Sequence, residues 1–249
     1  MIFVNNTPNN VGVAIHGDYL DFEALYKSFL DIVGDEGEYR SYDAARMRVL
    51  GVCYDLRHAM QGDREAVFVD NGLSASHRQK MAVLAPDKNL YLCIRALWPE
   101  TLFVMMALND FIKLHVSKGS KTNYEVMWDK NIAWDETIAQ VRHFQSIIAK
   151  CLKETVPEDS YSRMLNVMHK SHTWYDHFPR QYLDILNARF LGMSPDKRLK
   201  SISPIVKQMA DRHGEYREVM DSFNEAGRRL NAPPDDIDPV LNWPDEIIW

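Results

Sequence analysis

Between Pro99 and His115 the chain carries apolar side chains on nearly every face of what its spacing makes a helix. Pro99 suits the first helical turn, and Glu100 is placed favourably against the positive end of the helix dipole. A helix that is hydrophobic all round needs cover on several sides. This stretch therefore predicts a buried helix with a sheet on one side and further elements on the other.

The chain ahead of it mixes periods. Val11, Val13 and Ile15 alternate with Gly12, Ala14 and His16, the two-residue period of a half-buried strand. Phe22, Leu25, Tyr26, Phe29 and Val33 then form a helical stripe. Asp21 reads as its N-cap, Leu20 and Leu25 as the staple across that cap, and Gly34 as its end. A second helix opens at Ser41 or Asp43, buries Val49, Val52, Cys53, Leu56 and Met60, and stops at Gly62. Ala66 to Val69 reads as a strand closed by the turn Asp70-Asn71-Gly72. Met81 to Leu84 and Leu90 to Ile94 read as a hairpin across Pro86–Asn89.

Ser117 to Lys121 has the composition of a linker, and beyond it the pattern is helical only. One helix carries Trp134, Ile138, Val141, Ile148 and Leu152. The next starts at Pro157 with Tyr161, Leu165, Met168, His172 and Tyr175 on one face. A third runs from about Arg180 to Leu191, ending at Gly192. Ser203-Pro204 then opens the longest helix, 204–230. Its apolar positions step four-three-four-three through Ile205, Met209, Tyr216, Val219, Phe223, Ala226 and Leu230, interrupted by Arg212. This heptad spacing fits bundle packing or a homodimer seam.

The predicted architecture is α+β: a small, mainly antiparallel sheet with packed helices in the N-terminal half, and a helical C-terminal half. Residues 1–116 form the α+β portion, 122–231 a helical portion packed on it, and 232–249 a proline-rich acidic tail. That tail still carries Ile237, Val240, Leu241, Trp243, Ile247, Ile248 and Trp249, so it should lie extended against a surface, its own or a partner's.

Composition limits the function. The formal net charge of −6 over 249 residues disfavours phosphate backbones, so no nucleic-acid partner is expected. No apolar run is long enough to span a bilayer, and no secretory leader is visible, so cytoplasm is the expected location. Three cysteines without Cys-x-x-Cys spacing read as buried free thiols. Serine nucleophile elbows, phosphate-cradling glycine loops and dinucleotide fingerprints are absent, and no cofactor is expected.

Two segments carry candidate chemistry. In Tyr54-Asp55-Leu56-Arg57-His58 a helix places Gly51, Tyr54, Asp55 and His58 on one face. Asp55 is spaced to orient the His58 imidazole, and Gly51 would admit a ligand or a neighbouring backbone. Arg57, Asp63 and Arg64 complete this cluster, and Asp18 in His16-Gly17-Asp18 is a further candidate after a strand end. The bland alternative is a helix C-terminus with Arg57 and His58 against its dipole. The second segment holds His169, His172 and His177, with Asp176, which could converge on a metal such as zinc only if the helix ended near Tyr175. Its spacing matches no hydrolase pattern, and packing or surface roles are the commoner fate of such histidines.

Several short stretches taken together resemble a known family. They are Thr7-Pro8-Asn9, Gly12-Val13, Gly17-Asp18-Tyr19, the run Arg48 to Ala59, Gly62-Asp63-Arg64-Glu65 and Val69-Asp70-Asn71-Gly72. They are similar to an uncharacterised family of bacterial proteins built around a domain of unknown function. The similarity extends through Trp98-Pro99-Glu100 to Val141–Gln145 and fades in the tail. It implies a bacterial, cytoplasmic protein and no particular activity. With no catalytic signature in the chain and two partner-like surfaces, the heptad helix and the aromatic acidic tail, the expectation is a non-enzymatic interaction or regulatory protein, homodimeric through 204–230 or bound to another protein. The alternative is an enzyme, hydrolytic or metal-dependent, built on the Asp/His/Arg cluster.

Overall fold

The computed structural model describes residues 1–119, 130–169, 175–212 and 214–249. It is an α+β fold. Strands β1 (Phe3–Asn6), β2 (Gly12–Gly17), β3 (Glu65–Asp70) and β4 (Lys88–Leu97) form one sheet in the order β1-β2-β4-β3, antiparallel at every step. The alternation read at 11–15 is β2: Val13 and Ile15 are buried in the core with Val4 and Ile94, while His16 faces the other way. The turn into β2 is held by Thr7, whose hydroxyl accepts from the amides of Val11 and Gly12, both at 3.0 Å. Gly12 has a steric cause, because a Cβ there would lie 1.9 Å from the Ala96 carbonyl oxygen.

One face of the sheet is covered by helices. These are α1 (Tyr19–Val33), packed on β2, and α2 (Asp43–Met60), packed on β4; a short α3 (Ala75–Gln79) buries no residue of its own. Helix α4 (Trp98–Gly119) follows β4 directly. Every residue from Leu102 to Leu108 is buried, as are Phe111 and Ile112, in keeping with a helix apolar on all sides. It packs against α1, α2, β2 and β4, and also against α6, α8 and α9. Those later helices belong to the run α5 (Lys130–Ala133), α6 (Glu136–Thr155), α7 (Glu158–Met168), α8 (Arg180–Leu191), α9 (Pro195–Asp211) and α10 (Glu215–Leu230).

The structure departs from the sequence reading at identifiable places. The cap of helix α1 lies three residues before the expected Asp21. Asp18 is the N-cap, its carboxylate accepting from the Asp21 amide at 2.9 Å while Asp21 returns the bond to Asp18 N–H at 3.1 Å. Leu20 is exposed, so no staple crosses this cap. Met81 to Leu84 is not a strand: β4 already has β2 on one side and β3 on the other, leaving no edge for a second hairpin arm. Strand β1 was not foreseen. Trp134 precedes α6 and is exposed rather than packed. Helix α4 runs through Ser117 to Gly119, inside the stretch read as a linker, whose Ser120 and Lys121 lie outside the described residues.

The largest correction concerns 204–230, which is two helices. Helix α9 begins at Pro195, so Pro204 sits inside it rather than opening it. It ends at Arg212 in the left-handed region (φ 47°), and Gly214 (φ 54°) starts α10. The turn is locked by the Arg212 guanidinium, which lies over the rings of Tyr175, Phe178 and Tyr216 at 5.4, 5.8 and 5.9 Å from their centroids. Ile205, Met209 and Tyr216, expected to form a dimer seam, are buried in the chain's own core. A continuous homodimer seam along 204–230 therefore does not exist.

The tail folds back on its own chain. Gln181 donates to the carbonyls of Pro234 and Ile237, Arg180 pairs with Asp238 at 2.8 Å, and Asn9 donates to the Trp249 carbonyl at 3.0 Å. Cys53, Cys93 and Cys151 are buried free thiols, as read from their surroundings. Among the described residues no helix is long and apolar enough to cross a membrane.

Candidate functional site: a charged cleft and an exposed strand arm

The face of the sheet turned away from the helices carries polar side chains in register. Phe3, His16, Cys93 and Glu65 are successive Cα partners across all four strands. Phe3 stacks on the His16 ring at 4.6 Å, and His16 Nε2 lies 4.0 Å from Cys93 Sγ. Burial, then the nearby charge of Arg95, lowers the His16 pKa below its ordinary 6.5, so the imidazole is neutral at pH 7. Its Nδ1 is buried and, among the described residues, has no hydrogen-bond partner. Burial also pushes the Cys93 thiol up to about 11, far from a reactive thiolate.

One step along the strands, Arg95 pairs with Glu65 at 2.7 Å, and its guanidinium lies 5.9 Å from the Trp249 ring centroid. Beside it the C-terminal end of α2 meets the start of β3. Asp55 Oδ1 accepts from Arg64 Nη2 at 2.7 Å and Nε at 3.2 Å, while Asp63 Oδ2 lies 2.9 Å from His58 Nδ1. Asp55, Asp63, Arg64, Glu65, Cys93, Arg95 and Trp249 line an open cleft of about 550 Å³.

The sequence-predicted cluster is thus brought together in part, with its pairing changed. Asp55 and His58 do not bond each other; each is taken by a residue of the 63–64 turn. Arg57 lies over the Tyr54 ring at 5.5 Å. Nothing approaches within 4 Å of a Cβ placed on the exposed Gly51. Asp18 is occupied as the α1 cap. Arg95 and Trp249 escaped the sequence reading, although Tyr91, Cys93 and Arg95 alternate with Leu90, Leu92 and Ile94, the signal that puts Arg95 on the outer face.

The histidine segment is only partly described, since His172 lies outside the described residues. Helix α7 stops at Met168, leaving exposed His169 as its C-cap. The His177 backbone (φ 49°) donates to the Ser41 carbonyl at 2.6 Å, and Asp176 lies 3.9 Å from Arg212. Among the described residues no group of three or more His, Cys, Asp or Glu side chains is placed to hold a metal ion.

Beyond the cleft, β3 and the first half of β4 project past the helices as a two-stranded arm. Phe68 and Leu90 are directly paired across it, and 72% and 52% of their surfaces are exposed. Val83 and Leu84, in the segment joining the strands, are also exposed. Strand β3 is the edge of the sheet.

The class defined by these features is an α+β protein with helices on one sheet face, a charged cleft on the other and an open strand edge. The chain belongs to the family described as Domain of unknown function (DUF6904), whose model matches residues 2–249 and so includes the tail in which the resemblance was expected to fade. No curated protein and no solved structure matches it.

Proposed function

We propose that the protein is a non-enzymatic interaction module, acting in the cytoplasm, whose docking surface is the β3–β4 arm. The observation that carries this reading is the exposure of Phe68 and Leu90 side by side on a strand pair whose outer edge is open. Exposed apolar surface on an open strand edge is a site for another chain to add to the sheet. The acidic net charge favours a protein over a nucleic acid as partner.

A second reading, an enzyme working from the cleft, is favoured by the convergence of Asp55, Asp63 and Arg64. The arrangement supports it less well. Both arginines in the cleft are neutralised by carboxylates, and the thiol at its floor is held protonated.

Comparative affinity purification separates the two. A Phe68→Lys/Leu90→Lys chain should lose the partners that wild type retains, while an Asp55→Asn chain keeps them. Undiminished partners with the arm variant would overturn the proposal. A hydrolytic activity abolished by Asp55→Asn and untouched by the arm variant would establish the second reading.

A further inference from the structure

We propose that the partner that fits the β3 edge is a second copy of this chain, added antiparallel about a two-fold axis at Val67; this rests on the arm being a docking surface. The argument starts from which backbone groups are free. The Asn71 amide donates to the Asp87 carbonyl at 3.2 Å, continuing the register that pairs Asp70 with Lys88. Alternate residues of an antiparallel strand address the same neighbour. The odd-numbered residues of β3 therefore bond β4, and Ala66, Phe68 and Asp70 turn their N–H and C=O groups outward. The other side of β4 agrees independently: Trp98 donates to Val11 at 3.1 Å, which assigns the even-numbered residues of β4 to β2.

This parity decides what self-pairing is allowed. Glu65 opposite the second copy's Asp70, the like-charge arrangement, would set an inward residue against an outward one and is excluded. The allowed register that brings opposite charges together sets Arg64, which adjoins β3, against the second copy's Asp70, Ala66 against its Phe68, and Val67 against its Val67. Symmetry repeats the first two pairs, giving two opposite-charge pairs at the ends and small-against-large apolar pairs between them. Arg64 uses three of its five donors within its own chain, two on Asp55 and one on the Asp63 carbonyl. The two that remain are available to a carboxylate.

Edge strands that must stay unpaired are blunted by lysine, proline or a bulge. Strand β3 reads Glu-Ala-Val-Phe-Val-Asp: it has no lysine, proline or bulge, its register is uninterrupted, and its two charges stand at its ends. The opposite edge of the sheet, β1, is packed against α6.

Sedimentation equilibrium of the full chain should give twice 28.9 kDa in the high micromolar range. Phe68→Pro removes only an outward amide, which β3 does not use, so this variant should keep the wild-type circular-dichroism spectrum and sediment as a monomer. Val67→Cys should cross-link two chains under mild oxidation faster than Phe68→Cys, since facing residues at a non-hydrogen-bonded position lie about 4.5 Å apart, and the native cysteines are buried. Arg64→Glu should weaken the dimer and Arg64→Glu/Asp70→Arg should restore it. A wild-type monomer, a folded Phe68→Pro dimer, or faster cross-linking at Phe68→Cys would each overturn the assignment. A wild-type monomer whose partners are still lost with Phe68→Lys/Leu90→Lys would refute the second copy while leaving the docking surface standing.

Discussion

Leu108 lies in the middle of α4 with no exposed surface, in the helix that touches the sheet and the later helices alike. Truncating it to alanine removes three carbons. At about 0.8 kcal/mol per buried methylene, the lost transfer energy is about 2.4 kcal/mol. A residual cavity of ~50–80 Å³ adds about 1–2 kcal/mol, for a total of about 3.5–4.5 kcal/mol. With a urea m-value of about 2–3 kcal/mol/M, the midpoint should fall by ~1–2 M at unchanged m. Because α4 contacts α1, α2, α8 and α9, its loss of packing should be felt by all four. Hydrogen exchange of the slowest amides in α1 and α2 should accelerate by the same factor as in α8 and α9. A midpoint shift below about 0.3 M, or acceleration confined to one set of helices, would refute the reasoning that a single core is organised around this helix.

Two further substitutions test local assignments. Asp18→Ala removes the capping box of α1 and should cost about 1 kcal/mol, lowering Tm by ~2–4 °C; an unchanged Tm in differential scanning calorimetry would count against the cap. His16 has a lowered pKa in the folded chain, so as pH falls below 6.5 the unfolded chain takes up a proton that the folded one does not. Its contribution is thus neutral above that pH and increasingly destabilising below it, down to the folded pKa. The wild-type stability curve should therefore fall more steeply on acidification than that of His16→Gln; parallel curves in urea titrations at stepped pH would refute a buried neutral imidazole.

What the sequence made legible depended on how local the cause was. The end of helix α8 was readable from Gly192, and α1 from Phe22, Leu25, Phe29, Val33 and Gly34. The break at Arg212 was hidden because the heptad steps from Met209 to Tyr216 continue in phase across it. The aromatic rings that hold Arg212 come from residues 175, 178 and 216, a tertiary arrangement that no window of sequence displays. Strand β1 offers four residues, two of them asparagine, and gains its place by pairing with β2. The candidate cleft divides the same way. Asp63 and Arg64 were visible as a local cluster with Asp55 and His58. Arg95 reaches it through strand order, and Trp249 through a tail that crosses back to Asn9.

The strength of the proposed dimer follows from what the edge has to offer. Covering Phe68 in part recovers ~1 kcal/mol per copy, or about 2 kcal/mol in all. The outward backbone groups of residues 64–70 add about eight hydrogen bonds, each worth ~0.5–1.5 kcal/mol net. Against these stands an association cost of roughly 4–15 kcal/mol. With the hydrogen bonds at about 1 kcal/mol each and an association cost near its lower end, about 4 kcal/mol, the balance is about 6 kcal/mol, which places the dissociation constant at roughly tens of micromolar. The two Arg64–Asp70 pairs sit at the exposed ends of the strand, where salt screens them. Raising ionic strength from low to molar should therefore weaken the dimer severalfold in sedimentation equilibrium, and Arg64→Gln/Asp70→Asn should be both weaker and less salt-sensitive. A nanomolar dimer indifferent to salt would require a larger apolar interface than β3 provides, and would move the contact away from this edge.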